Sequence, residues 1–480
     1  MSLRNIYSFL IVFILLISCN KQEKIDIENA TLSFINRNED VIGFGKMNYK
    51  SILDKIEYKS IPKLGKILDK EVIKLSNSLN INKPVYYVVQ TAQDGQNTNF
   101  YAFFEITNQD SLVDRLGSMG FFVEEYEKMH FMKDGDVTIG MQGNIGVAII
   151  KQNGYDHKKE LKDIFHSIKE TPQKGAVINE LIAKKGDITY ISHLENSTKK
   201  SSKAFSDLTQ EKQAKLKELF KNSFVHTSLN FEKGKITVNS ENFFSSSLSN
   251  VMFMKGKNNA NLVEKMGKGK ALAGISVNID IVKFEAFVDN YFPEVKKQLF
   301  KNKPEIALSM MLLGDNPLSK FSDGKAAAVM VGDLSNIIMG FTPEINFYAG
   351  IGNKSARPLW DTFLSQYTDK LKYSVTDFEV TGQTTSSNNN ASKLILPDCA
   401  KNFGRHGITG FLDVKAIHVE SMGLPKQLKS LELIDNLQFS SNDTKSEFII
   451  EFIRKDQNVL KQVADMYVDE LTDAAGKVSF

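Results

Sequence analysis

The chain has 480 residues, of which 42% are hydrophobic and 24% charged, proportions ordinary for a folded protein. Its 60 basic and 57 acidic side chains leave a formal net charge of only +3, so neither nucleic acid nor an acidic membrane surface has an electrostatic claim on it. Two cysteines, Cys19 and Cys399, exclude a zinc ribbon, a redox C-x-x-C pair and a disulfide framework.

The first residues read MSLRNIYSFLIVFILLISC. Arg4 is the sole charge before Cys19, and the apolar run from Ile6 to Ile17 is broken only by Tyr7 and Ser8. As a helix that run measures ~18 Å, well short of the roughly 30 Å of hydrocarbon in a bilayer. A charged start, a short apolar middle and a small residue at the break are the parts of a secretory signal peptide, here 1–18. Its end, Leu16-Ile17-Ser18-Cys19, resembles the lipobox of bacterial lipoproteins. The resemblance implies that the Cys19 sulfur receives a diacylglyceryl group, that residues 1–18 are cut away, and that the new amine is acylated. Asn20 stands where an aspartate would hold such a protein at the inner membrane. The resemblance therefore implies an outer-membrane protein of a Gram-negative bacterium, facing either the periplasm or the surface. Residues 19–35 read as a tether. Loss of Arg4 with the signal lowers the net charge by one.

Two kinds of unit recur after the tether. The first is a short apolar strand followed by an amphipathic helix, as in DVIGFGKMNYKSILDKI (40–56), ALAGISVNIDIVKFEAF (271–287) and GITGFLDVKAI (407–417). GDITYISHLEN (186–196) offers the strand without an immediate helix. The second is an aromatic strand running into a capped helix. NFYAFFEITNQDSLVDRL from Asn99 and NFYAGIGNKSARPLWDTF from Asn346 align without a gap, and SEFIIEFIRKDQNVLKQV from Ser446 repeats the pattern. Each places apolar residues at i, i+1 and i+4, the buried stripe of a helix, with Asn108, Ser355 and Asp456 as expected caps. The first-kind strands begin near Ile42, Ile188, Leu272 and Ile408, so alternate copies lie 230 and 220 residues apart. This spacing predicts a duplication, with halves at 36–265 and 266–480.

Between these marks lie hairpins. DVTIGMQGNIGVAIIK turns at Gly143-Asn144, FVHTSLNFEKGKITVNSENFFSS turns at Lys233-Gly234, and FEVTGQTTSSNNNASKLIL reads as a third with its tip at 384–392. Lys133 to Asp136, KDGD, reads as a turn in preference to a calcium loop, because the following VTIG supplies no oxygen side chain in the right places. HKKELKDIFHSIKE gathers Leu161, Ile164, Phe165 and Ile168 on one helical face that packs on the sheet. Strands joined by short turns, with helices between hairpins, predict an α+β fold: antiparallel sheets with helices packed on one face, duplicated into two related halves.

No catalytic motif emerges. The seven histidines, His130, His157, His166, His193, His226, His406 and His418, form no close metal pair, and neither G-x-S-x-G nor a P-loop is present. SIPK at Ser60 to Lys63 is an isolated S-x-x-K, and GFGKMN at Gly43 lacks the third glycine of a dinucleotide loop. With 33 Phe and 14 Tyr against one Trp, the aromatic content reads as core and not as a sugar platform. Cys399 reads as a buried small residue. The sequence thus gives a lipid-anchored envelope protein whose assigned residue is Cys19, the lipid attachment point, with no cofactor and no metal. Its expected role is a non-catalytic binding or scaffold module for an envelope protein, glycan or lipid. The alternative is an envelope hydrolase that brings carboxylates together from distant segments. A smooth apolar or aromatic groove between the two halves would favour binding, and two buried carboxylates across a cleft would favour the enzyme.

Overall fold

Strand-like alternation and tight glycine turns leave the strand segments to make their backbone hydrogen bonds with neighbouring strands. The computed structural model describes residues 24–61, 64–91, 98–150, 157–168, 176–197, 209–254, 262–294, 308, 311–332, 344–384, 393–417 and 426–468. These show an α+β fold of antiparallel sheets with helices packed against them. The described residues fall into two compact units, one drawn from 24–50 and 66–183, the other from 51–65 and 184–468. The expected boundary at 265/266 lies inside the second unit.

The first unit carries seven strands: β1 (Val41–Met47), β2 (Val85–Thr91), β3 (Thr98–Glu105), β4 (Val123–Tyr126), β5 (Met129–Asp134), β6 (Val137–Gln142) and β7 (Ile145–Ile150). They pair antiparallel in the order β1-β2-β3-β7-β6-β5-β4. The β5–β6 turn is the KDGD stretch, with Gly135 at φ +55°, and the β6–β7 turn is Gly143-Asn144, with Gly143 at φ +61°. Both demand the left-handed region that glycine enters without steric cost. The helix His157–Ser167 buries Leu161 and Phe165 over Gly140 of β6, where a Cβ would stand 2.7 Å from Leu161 Cδ2.

The stretch read as tether to residue 35 is largely folded. A helix runs Ile27–Arg37, capped by Asp26 on the Asn29 N–H at 3.1 Å, and buries Ile27, Ala30, Leu32, Phe34 and Ile35. Phe34 meets Tyr101 and Phe103 of β3 at ring separations of 4.8 and 5.3 Å. The charged residues Asp26 and Glu28 at its start concealed an amphipathic helix whose cap and first turn they form.

The second unit holds β8 (Ile188–His193), β9 (Phe224–Glu232), β10 (Lys235–Phe243), β11 (Gly269–Asn278), β12 (Lys325–Val331), β13 (Glu344–Gly350), β14 (Leu371–Val375), β15 (Glu379–Thr384), β16 (Leu394–Ile395), β17 (Ile408–Asp413), β18 (Ile434–Ser441) and β19 (Lys445–Phe452). Eleven of them form one antiparallel order, β8-β9-β10-β19-β18-β17-β11-β12-β13-β15-β14. β9 and β10 turn at Lys233-Gly234 as predicted, with Gly234 at φ +67°. The third predicted hairpin does not form. β15 pairs with β13 and β14, while β16 runs parallel to Gly269-Lys270 of β11. Its polar tip from 385 to 392 lies outside the described residues.

Strand-then-helix units recur where expected, with changes of detail. Asn108 caps the helix Gln109–Ser118 by accepting the Ser111 N–H at 2.9 Å. In the second copy Asn353, not Ser355, does so, opening a short turn that runs into Arg357–Ser365. In the third Asn458, not Asp456, accepts from Leu460 N at 3.0 Å, because it directly precedes the buried Val459. The strand of GDITYISHLEN is followed at once by the single turn Leu194–Ser197, and GITGFLDVKAI ends in a 3₁₀ turn, Lys415–Ile417, in place of an amphipathic helix.

Asp187 anchors the start of β8. Its side chain, 4% exposed, accepts from Lys55 Nζ at 2.5 Å, Ser51 Oγ at 2.7 Å and the Phe231 N–H at 2.7 Å. Removing it strands those donors. Asp187→Ala is expected to destabilise the fold by about 3 kcal/mol, read as a lower urea midpoint with unchanged slope. An unchanged midpoint would refute this role.

Candidate functional site

The lipobox and Cys19 lie outside the described residues. Description begins at Lys24, and the stem that follows is held firmly. Asn144, in the β6–β7 turn, accepts from Ile25 N at 3.1 Å and donates Nδ2 to Ile25 O at 2.8 Å. This two-bond clamp fixes Ile25, six residues after Cys19 in the sequence, against the β6–β7 turn.

The candidate binding surface belongs to the second unit and follows from strand register. Residues directly opposite in an antiparallel pair point to the same face. Starting at β8, one such row runs Ile188, Leu229, Val238, Phe448 and Phe439 to Gly410. It continues through Ile275, Ala328, Phe347 and Gly382 to Tyr373. Tyr373 is the one member with a polar side-chain atom. A second row, two residues along, runs from Phe231 and Ile236 through Ile450, Leu437, Leu412 and Ala273 to Met330 and Ile345. It contains no polar side chain at all.

This face is open over its middle. Ile275 is 56% exposed, Phe439 37% and Ile345 39%, while Leu229, Val238, Phe448 and Ala328 are half-buried. The reverse face is closed: Phe411, Val329, Phe403 and Ala400 form a buried cluster, and Ser276 and Thr409 share a buried hydrogen bond at 2.5 Å. At the β13–β14 end the helix Arg357–Ser365 covers the row, with Trp360 stacked on Phe321 at 4.4 Å and its Nε1 donating to Phe321 O at 3.1 Å. Gly410 stands between the exposed Ile275 and Phe439. A Cβ there would meet only Gly274 O at 3.4 Å, an ordinary contact, so the glycine leaves a notch over bare backbone. Folded chains rarely expose contiguous apolar surface beyond a few hundred Å² without a use for it.

Sequence reasoning reads these phenylalanines as core, and for Phe439 and Phe448 the structure corrects that reading. GITGFLD is apolar at 408, 410 and 412 and also at 411, which reads as a strand buried on both faces. Only register distinguishes the covered side of Phe411 from the open side of Gly410.

The other sequence features remain apart from this face. Ser60 Oγ donates to Glu57 O at 2.8 Å, and Lys63 lies outside the described residues. His193 stacks on Phe224 at 4.7 Å and bonds Asn196. His418 is outside the described residues. Among the described residues no three His, Cys, Asp or Glu side chains gather as metal ligands, and no helix is long and apolar enough to cross a membrane. Asp435 and Glu451, on neighbouring strands, share Lys455 at 2.9 and 2.7 Å, with Asn436 donating to both. Cys399 packs half-buried against the closed-face cluster, and burial, helped by the Asp413 charge, pushes its thiol up to about 12. In a Cys19→Ala chain it is expected to resist iodoacetamide at pH 8 until the fold is denatured, since the thiolate is the nucleophile. Its raised value favours the folded state fully below its ordinary value near 9, and that contribution is lost as pH rises from there through about 12.

No family model matches the chain, and no curated protein matches it. Among solved structures it is similar to three crystal forms of TP0453. Crystal form III gives 8% identity and a TM-score of 0.28 over 48% of this chain and 86% of that one. Forms IV and I each give 9% identity and a TM-score of 0.27, over 45% and 46% of this chain and 81% and 80% of that one. A likeness of this order carries no argument about function.

Proposed function

We propose that this protein is a lipid-anchored binding module of the outer membrane, tethered by acyl chains on Cys19, whose second unit takes up an acyl chain of a lipid along its open sheet face. The observation that carries the reading is the pair of apolar rows around the Gly410 notch. A protein partner calls for about one hydrogen bond per 100–200 Å² of interface, which these rows cannot supply. An alkyl chain needs none, and each methylene it buries contributes ~0.8 kcal/mol. The hydrolase alternative finds less support, because Asp435 and Glu451 stand side by side on neighbouring strands, both held by Lys455. Six residues of chain span at most about 22 Å, so acylated Cys19 would keep the first unit close to the bilayer.

The test is titration of a fluorescent fatty-acid probe into the Cys19→Ala chain, which lacks its own lipid. Saturable binding displaced by unlabelled fatty acid is expected. Emission that rises linearly with probe, without saturation or displacement, would reject the acyl-binding face.

A further inference from the structure

A separate cavity of about 620 Å³ lies in the first unit, at the base of the anchor stem. It is bounded by the end of the helix Leu64–Ser78, the end of β3 and the Gly143-Asn144 turn. Its lining is mixed, with Asn80, Asn82, Thr107 and Asn144 beside Leu79, Ile81 and Ile106. Among its walls is Glu105, the last residue of β3, whose side chain is only 4% exposed. That carboxylate accepts from Asn80 Nδ2 at 3.0 Å and from Lys24 Nζ at 2.8 Å.

These two partners differ in kind. Asn80 is built into the wall, and its own N–H donates to Glu105 O at 2.9 Å. Lys24 is 70% exposed and reaches in from the stem. A carboxylate this buried needs a cation to remain charged at low cost. Here the cation is a primary ammonium on a side chain that stays mostly in water, and an exposed lysine loses little by returning to solvent.

We infer that the cavity is a receptor site for a ligand carrying a primary ammonium group and a hydrogen-bonding body, which displaces Lys24 from Glu105. The ligand's ammonium takes the place of Lys24 Nζ on Glu105, and wall groups such as Asn82 and Thr107 bind its remainder. Once displaced, Lys24 stands at the rim as a free cation, which suits a ligand whose ammonium is accompanied by an anionic group. The aminoethyl phosphate of a lipid headgroup has this chemistry, and so does the same group free in solution. The inference rests on the first unit alone and is independent of the open sheet face.

The experiment is calorimetric titration of phosphoethanolamine into the Cys19→Ala chain and into Cys19→Ala combined with Lys24→Ala or with Glu105→Gln. Phosphocholine, which has no N–H to donate, is the control. Lys24→Ala removes the internal competitor and is expected to raise affinity for ethanolamine, titrated alongside, which has no anionic group for the freed lysine to meet. Glu105→Gln is expected to lower it about tenfold or more, the loss of a charge-assisted hydrogen bond. Phosphocholine is expected to bind about tenfold more weakly than phosphoethanolamine. A parallel arm uses phosphatidylethanolamine vesicles: Glu105-dependent binding to these but not to the free compound assigns the lipid, and the reverse assigns the solute. A melting curve confirms that Glu105→Gln is folded, and if it is not, the gain on Lys24→Ala decides. Absence of binding in both arms even with Lys24→Ala, or equal binding of phosphocholine, overturns the inference.

Discussion

Metabolic labelling with palmitate is expected to fall to background in the Cys19→Ala chain, while the wild type carries the label. Under the proposed anchor, a sulfur-linked diacylglyceryl group and an amide-linked acyl chain would both depend on that one side chain. A single acyl chain binds membranes only marginally, at about 10⁴ M⁻¹, whereas several on one residue hold stably. The change is therefore expected to abolish any sedimentation with membranes that rests on an acyl anchor. The mature wild-type chain is expected to begin at residue 19 with the added acyl mass. Retained label in Cys19→Ala, or a wild-type chain that starts elsewhere, contradicts the anchor.

The second large effect is expected at the open sheet face. Ile275→Glu and Phe439→Glu place carboxylates on either side of the Gly410 notch, where both native side chains are exposed. Surface changes of this kind cost within about 0.5 kcal/mol of stability. An alkyl chain laid over the notch would instead have to strip water from two charges, and a buried unpaired charge costs several kcal/mol. Fatty-acid affinity is expected to fall roughly a hundredfold in the double variant, with melting nearly unchanged. Gly410→Trp approaches the same site by filling it. The notch has room for a Cβ, so the added side chain is expected to take up the space the ligand needs. Affinity that survives all three changes would move the ligand elsewhere.

Much of the fold was legible because its signals are local. The turns at Gly135, Gly143 and Gly234 follow from glycine's access to positive φ between alternating strands. The stripe of Leu161, Ile164, Phe165 and Ile168 follows from helical spacing, and all four side chains are buried. The failures share a cause, since each depended on partners distant in sequence. β15 was expected to fold back on the next apolar stretch, but β13, more than thirty residues earlier, takes its edge. The helix Ile27–Arg37 was hidden in the presumed tether because its stripe gains its value only against Tyr101 and Phe103. The candidate surface was equally hidden. Phe439 and Phe411 look alike in sequence, and only strand register separates an open face from a closed one. Glu105 sits at the end of an aromatic strand like any edge charge, and its cavity arises from Asn80 and Asn144, 25 and 39 positions away. The strand-then-helix units are similar in local form, but the two compact units differ in size, with seven strands in the first and an eleven-strand order in the second.

Native mass spectrometry of the Cys19→Ala chain, purified from bacterial envelopes without detergent, tests the central proposal most directly. A species heavier by one lipid is expected, and it should vanish when Ile275→Glu and Phe439→Glu are added. Bare protein mass throughout, or a lipid adduct that persists with both carboxylates in place, would contradict an acyl-binding role for this sheet.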